Sequence, residues 1–453
     1  MSDAKSWAHP FFSANPDIEV LEAFLIDVNG SLRGKWVPLE SADKVLKGEF
    51  RMPRSSYAVD VWGNDVMAVG LALEAGDSDG ICFPVHRSLA PVPWLNRPTA
   101  QLLMSMNNPD GSAFYGDPRN VLSQVIARYQ ARGWTPVVAS ELEFYLIDPT
   151  AEDGKPRPPL SPVTGRRVSA TQVYSVLEMQ EFETILAELA ATCQAQGIPA
   201  DTTISENGPG QYEINLNHVD DALAAADHAV FMKRAVRGIA RRHGLEATFM
   251  AKPYGDCSGN GLHVHFSVID QDGNNIFAGS DAQGTPALRH AIAGLLGAMP
   301  DCMALFAPNA NSYRRFQLES HAPTTASWGY DNRSSALRVP DSSLAATRIE
   351  HRVAGADALP HLVIATILAG ALEGLIKQTE PDPPVDGNAY ASGAETLPTT
   401  WEAALAAFED SDFIAEQLGA DYRHLFTACK RQEKARIDSL VSDVEYDAYL
   451  RNI

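Results

Sequence analysis

Positive charge is scarce in this sequence: 36 Lys and Arg face 57 Asp and Glu, a net charge of −21 with the histidines neutral. Nucleic-acid binding draws its affinity from cations that displace counterions from phosphates, so this balance argues against a nucleic-acid partner. Cysteine is sparse as well. Cys82, Cys193, Cys257, Cys302 and Cys429 are odd in number, widely spaced and without a CxxC pair. They point to reduced thiols and a cytoplasmic protein, not to a disulfide frame or a thiolate zinc site. No apolar run opens the chain in the manner of a signal peptide. The most apolar stretch, LVIATILAGAL at 362–372, is shorter than the ~20 residues that span a bilayer. It reads as a buried helix, and no membrane partner is expected.

Familiar phosphate-binding loops are missing too. GSLRGKW (30–36) is one residue short of a Walker A spacing and has Trp36 where a hydroxyl should follow the lysine, and GDCSGNG (255–261) lacks the GxGxxG pattern. Solenoid repeats are absent. What remains is an ordinary globular composition, 45% hydrophobic and 21% charged over 453 residues, long enough for more than one domain.

Residues 19–38 read as two strands joined at Asn29-Gly30, and a Gly-, Pro- and Asn-rich stretch at 107–120 marks a boundary. The expected division is a small β-rich domain over 1–112 and an α+β catalytic domain over 113–453. Within the latter, 137–148 (VVASELEFYLID) reads as a strand, and 119–133, 175–197 and 219–243 as helices. ATFMAKP and GLHVHFSVIDQDGNNIF, between 247 and 277, read as strands with a turn at Asp272-Gly273. The tract 380–398 reads as loop and 400–451 as helix.

Four segments gather ligand-type side chains. Glu141 and Glu143 in SELEFYL are two apart, so on a strand both leave one face, while Leu142, Phe144 and Leu146 leave the other. Glu206 and Glu213 flank a Gly-Pro-Gly turn; His263 and His265 share a strand face, as do Arg348, Glu350 and Arg352. Each piece alone is more often a solvated face or a hydrogen-bonded histidine. Acids interleaved with core residues are different, because they need a cation nearby. Five glutamates and a histidine suit Mg²⁺ or Mn²⁺ better than zinc, and two such ions point to phosphoryl transfer. Arg315, Arg333, Arg338, Arg348 and Arg352 supply planar forks for the phosphate or carboxylate.

In the order ELEFYL, ENGPGQYEINL, KPYGDCSGNGLHVHFS, NSYRRF, NRSSALRVP and RIEHRVAGADALPHL, these segments resemble the glutamine synthetase family along almost the whole chain. The sequence looks closest to members that glutamylate putrescine, matched also at EFYL, QVYSV, ATFMAKPY, ASWG and HRVAGADA. The resemblance implies an N-terminal β-grasp domain and a catalytic domain with a curved antiparallel sheet flanked by helices. It implies active sites between neighbouring subunits of a homo-oligomer, a dodecamer of two hexameric rings. ATP and two or more Mg²⁺ or Mn²⁺ ions per site are implied, with Glu143, Glu206 and Glu213 holding one ion and Glu141, His263 and Glu350 the other. Gly259, Arg315 and Arg352 match positions that hold substrate glutamate, Arg333 and Arg338 match phosphate-binding arginines, and His265, Ser267 and Arg348 match positions beside the nucleotide.

The family chemistry converts the γ-carboxylate of glutamate into a γ-glutamyl phosphate that a free amine then attacks. An alkylamine of pKa near ~10 must lose a proton first, at a cost of roughly 4 kcal/mol at neutral pH. Ammonia-using members place a Glu before the Ala-Pro that ends the arginine motif and an Asp in an FDGSS-like segment. This chain has His321 and, in RMPRSS, Pro53. Ser258 likewise replaces an Asn of the glutamate loop, and the adenylylation segment of some bacterial members is not matched around Tyr390. Loss of both carboxylates favours a larger amine, with Arg315, Arg333 and His321 as the catalytic candidates. The expected activity is ATP-dependent ligation of L-glutamate to a polyamine such as putrescine, in amine catabolism. The alternatives are a ligase for a monoamine or ethanolamine, an unusual glutamine synthetase, or a catalytically silent structural or amine-sensing relative. The last is disfavoured because all six metal positions are filled.

Overall fold

The computed structural model describes residues 3–150, 154–169 and 173–453. Of the matched stretch QVYSV, Gln172 lies outside the described residues. Two sheets organise the chain. The first contains β1 (Val20–Ile26), β2 (Leu32–Pro38), β3 (Phe50–Pro53), β4 (Asp79–Pro84), β5 (Ala90–Pro91) and β6 (Thr99–Asn107), ordered β2-β1-β6-β4-β3 with β5 beside β6. The β1–β2 hairpin turns where Asn29-Gly30 predicts: Asp27 Oδ1 accepts from the N–H groups of Asn29 and Ser31 at 2.9 and 2.8 Å, and Gly30 takes φ +75°. At the centre, β1 runs parallel to β6.

The second sheet contains β7 (Thr135–Ile147), β8 (Ala200–Ser205), β9 (Gln211–Leu216), β10 (Glu246–Thr248), β11 (Leu262–Ile269), β12 (Trp328–Tyr330), β13 (Leu337–Val339) and β14 (Ile349–His351). Its order is β12-β13-β14-β11-β7-β9-β8, with β10 paired to β7. All pairings are antiparallel except β12 with β13. Register does the assembling. Glu141 stands opposite His263 and Asn215, Glu143 opposite Glu213, and Glu350 opposite both His265 and Arg338. Cross-strand partners share a face, so all these polar side chains emerge on one side of the sheet. Leu142, Phe144 and Leu146 emerge on the other and are buried. The helices Ala222–Arg242, Pro286–Phe306 and Pro360–Lys377 supply much of that core. The last contains the apolar run 362–372 and is long and apolar enough to cross a membrane, yet 83% of that window is buried inside the fold.

Three expectations need correction. The helix predicted over 175–197 is two, Val176–Glu181 and Glu183–Ala195, which part at Phe182, whose buried ring packs against Tyr212 with centroids 5.9 Å apart. ATFMAKP leaves the sheet after Thr248: Asn260 Nδ2 donates to the Met250 carbonyl at 2.9 Å and the Lys252 N–H donates to Asn311 Oδ1 at 2.8 Å, so side chains replace a strand partner. After the Asp272-Gly273 turn only a single bridge, Ile269 to Asn275, returns. The tract 400–451 is helical as expected, in four helices, Trp401–Asp410, Asp412–Leu418, Ala420–Asp438 and Asp443–Tyr449, the second ending at Gly419 with φ +98°.

Candidate active site

The polar face of the second sheet floors a cavity of about 640 Å³. Glu141, Glu143, Glu206, Glu213, Asn215, His263 and His265 line it, and so do Arg315, Arg333, Arg338, Arg348 and Arg352. Gly259 and His321 also line it. Glu350 lies beneath, almost fully buried, and Ser267 continues the β11 face two residues beyond His265.

Glu141 is the hub. Its Oε1 lies 2.8 Å from His265 Nε2 and accepts from Asn215 Nδ2 at 3.2 Å, while its Oε2 lies 3.3 Å from His263 Nδ1. Burial raises its pKa, but the hydrogen bonds and charges of the two histidines outweigh that and hold the carboxyl well below the usual range. Ligand atoms of Glu141, Glu213 and His263 lie within 4.8 Å of one another, and so do those of Glu141, His265 and Glu350. Glu143 accepts from the Gly261 N–H at 2.7 Å. Thus the structure joins Glu141 to both groups and brings His265 into ligand distance.

Burial raises Glu213, and the neighbouring Glu141, Glu143, Glu206 and Glu350 push it further. Burial together with Glu143 pushes Glu206 up to about 7. Carboxylates this crowded and this shielded from water cannot all ionise without counter-charge. Oxygen donors with one or two imidazoles are the donor set that fits Mg²⁺ or Mn²⁺. Glu350 behaves differently. Despite burial, Arg352 and then His265 and His263 lower it to about 2, and Arg338 Nη1 donates to its Oε2 at 2.8 Å.

The arginines divide by environment. Arg315 is buried, donating from Nη1 to the Val353 carbonyl at 2.8 Å. A Cβ on Gly259 would sit 2.8 Å from Arg315 Cγ and 2.6 Å from the Ala251 carbonyl oxygen, so only glycine lets the two segments meet. Arg348 Nε donates to His265 Nδ1 at 3.2 Å. Arg338 also reaches Asp331, and Arg333 is exposed to the cavity mouth. His321 is exposed on the rim, and Arg314, the neighbour of Arg315 in NSYRRF, is exposed and does not line the cavity.

Sequence reasoning missed Gln211, whose amide accepts from the Gly208 N–H at 2.9 Å and donates to the Gly259 carbonyl at 2.9 Å. It clamps the Gly-Pro-Gly turn to the glycine loop. Its spacing of two from Glu213 was the available signal. Asn215 shares that spacing, and Tyr145, whose hydroxyl donates to the Ser258 carbonyl at 2.8 Å, lies two beyond Glu143.

A family model described as "Glutamine synthetase, catalytic domain" matches residues 115–449. The chain belongs to the glutamine synthetase family. It is 41% identical over 96% of its length to gamma-glutamylputrescine synthetase PuuA of Escherichia coli (strain K12), spanning 93% of that protein. To glutamate–isopropylamine ligase of a Pseudomonas species it is 32% identical over 97% of its length, spanning 96% of that enzyme. Among solved structures, a GmaS/ADP complex superposes with a TM-score of 0.85 at 29% identity, covering 99% of this chain and 100% of the other. The α+β fold is that of the family, as is ligase activity; family members use ATP and divalent metal ions.

Proposed function

We propose that this protein joins the γ-carboxylate of L-glutamate to a primary amine of a polyamine such as putrescine, at the expense of ATP and through a γ-glutamyl phosphate. The observation that carries this reading is the rim of the cavity, where His321 supplies an imidazole in place of a carboxylate. The 41% identity to a gamma-glutamylputrescine synthetase supports the same choice. In this reading Gly259, Arg315 and Arg352 hold glutamate. Glu141, Glu143, Glu206, Glu213, His263 and Glu350 hold the divalent ions, which when bound supply positive charge to the transferring phosphoryl group. Arg333 and Arg338 neutralise the phosphate oxygens, a role for which planar guanidinium forks are well suited. His265, Ser267 and Arg348 border the nucleotide. His321, in its neutral form, accepts the proton that the attacking ammonium must lose. Family membership is the ground for placing the protein in a homo-oligomer, a dodecamer of two hexameric rings.

The 32% identity to an isopropylamine ligase favours a second reading, a monoamine or ethanolamine ligase acting through the same residues. ADP release with glutamate plus ammonium, putrescine, spermine, ethanolamine or isopropylamine separates them, and putrescine or spermine is expected to give the highest kcat/KM. His321→Ala is expected to lower kcat with the best amine by about 10²-fold, the scale of a general base. Unchanged turnover would remove the base role from His321.

A further inference from the structure

Ser320, His321 and Ala322 form one stretch of the cavity rim. Glu319 and His321 take left-handed φ values of +61° and +59°, a conformation that costs a residue with a Cβ ~1 kcal/mol or more. Such a loop needs ties. Those within it are local, with Ser320 Oγ donating to the carbonyls of Arg315 and Gln317 at 3.1 and 2.7 Å. From across the fold comes Tyr390, whose hydroxyl donates to the Ala322 carbonyl at 3.0 Å and also meets Ser320 and the His321 backbone.

The segment that carries Tyr390 is fixed in turn to the residues flanking Arg333. Asn332 Nδ2 donates to the carbonyls of Val385 and Gly387 at 3.0 and 2.8 Å, and the Ala389 N–H donates to Ser334 Oγ at 2.9 Å. One strap, 385–390, therefore touches both the Arg333 turn and the His321 loop.

We propose that Tyr390 is a positioning residue for ligation, setting the His321 loop over the cavity and keeping it in step with Arg333. The inference rests on the ligase reading above. In that reaction the amine lone pair attacks the γ-carbonyl carbon, and the C–O bond to phosphate breaks with its electrons leaving on phosphate. The surplus proton on nitrogen passes to a base. Water attacking the same carbon returns glutamate and phosphate, so a loosened loop spends ATP without forming amide.

Tyr390→Phe keeps the ring and deletes the tie. Loss of one hydrogen bond of typical strength should raise the KM for amine about 5- to 10-fold. The KM values for glutamate and ATP should stay within about 2-fold, and amide formed per ADP should fall. Independently of turnover, a glutamyl endopeptidase should cut after exposed Glu319 faster in the variant, as mapped by mass spectrometry. The inference is overturned if amine KM, amide per ADP and the cleavage rate all match the parent. It is equally overturned if every kinetic constant and Tm deteriorate together, which is the mark of a general packing role. Failure of the parent protein to form amide from any amine would sink the ligase reading instead, and the cleavage comparison would still decide whether Tyr390 holds the loop.

Discussion

Glu206 shows how much a single side chain reports about its surroundings. Burial, with Glu143 beside it, lifts its pKa from 4.5 to about 7. A carboxyl raised in the folded state stabilises the fold while protonated, so without metal that contribution is lost as pH rises from about 4.5 through 7. A divalent ion binds the ionised form and reverses the preference. The Tm gain on adding Mg²⁺ is therefore expected to be larger near pH ~8 than near pH ~5. Glu206→Gln should flatten the pH dependence, and thermal melts with EDTA or Mg²⁺ across that range measure both effects. At the same scale, Glu141 and Glu143 were legible from their spacing together with the core residues interleaved with them. Gln211 offered only its spacing from Glu213, because a buried glutamine that clamps two loops looks like any polar strand residue until the loops are brought together.

Between elements, the close approach of two helices is set by glycine. Where Pro286–Phe306 crosses Pro360–Lys377, a Cβ on Gly374 would lie 2.0 Å from the His290 carbonyl oxygen and one on Gly294 2.2 Å from that of Gly370. These atoms are backbone on both sides, so neither helix can yield by a rotamer change. Gly374→Ala is expected to destabilise the protein by about 1–3 kcal/mol, the usual cost of overpacking, measured by chemical denaturation. Element boundaries are also where sequence reading was weakest. The periodicity of 175–197 is continuous through Phe182, and the break there, at φ −107° and ψ 16°, coincides with the packing of its ring against Tyr212. The β-branched and aromatic signal of ATFMAKP is outweighed by side-chain partners from Asn260, ten residues from Met250, and from Asn311, 59 residues from Lys252.

Across the whole molecule, one buried carboxylate ties distant parts together. Asp227 accepts from Arg119 Nε and Nη2 at 2.9 and 3.0 Å and from Arg87 Nη2 at 2.9 Å, and lies 2.9 Å from His361 Nε2. Arg87 follows β4 of the first sheet, Arg119 opens the helix Pro118–Gln130, and His361 opens Pro360–Lys377. Burial alone would raise Asp227, but Arg119 and His361 hold it well below the usual carboxylate range. A carboxyl lowered in this way contributes stability above its ordinary pKa of 3.8 and loses it as pH falls further. Asp227→Asn, which leaves a buried guanidinium without counter-charge, is expected to cost about 3–5 kcal/mol at neutral pH in a denaturant titration.

The sequence by itself determined the residue types that can do the chemistry. Strand periodicity put Glu141 with Glu143 and His263 with His265, and composition argued against a nucleic-acid partner. Six ordered motifs named the family. Those features are local, because alternation, turn chemistry and charge act within a few residues. Tertiary structure decided which of these groups meet. Glu141 became the hub because β11 and β9 both pair with β7 at that register, and His265 joined it because β14 places Glu350 opposite. The link from Tyr390 to the loop of His321 spans 68 residues of chain. Contacts of that kind follow from sheet register and helix packing, which no window of sequence contains.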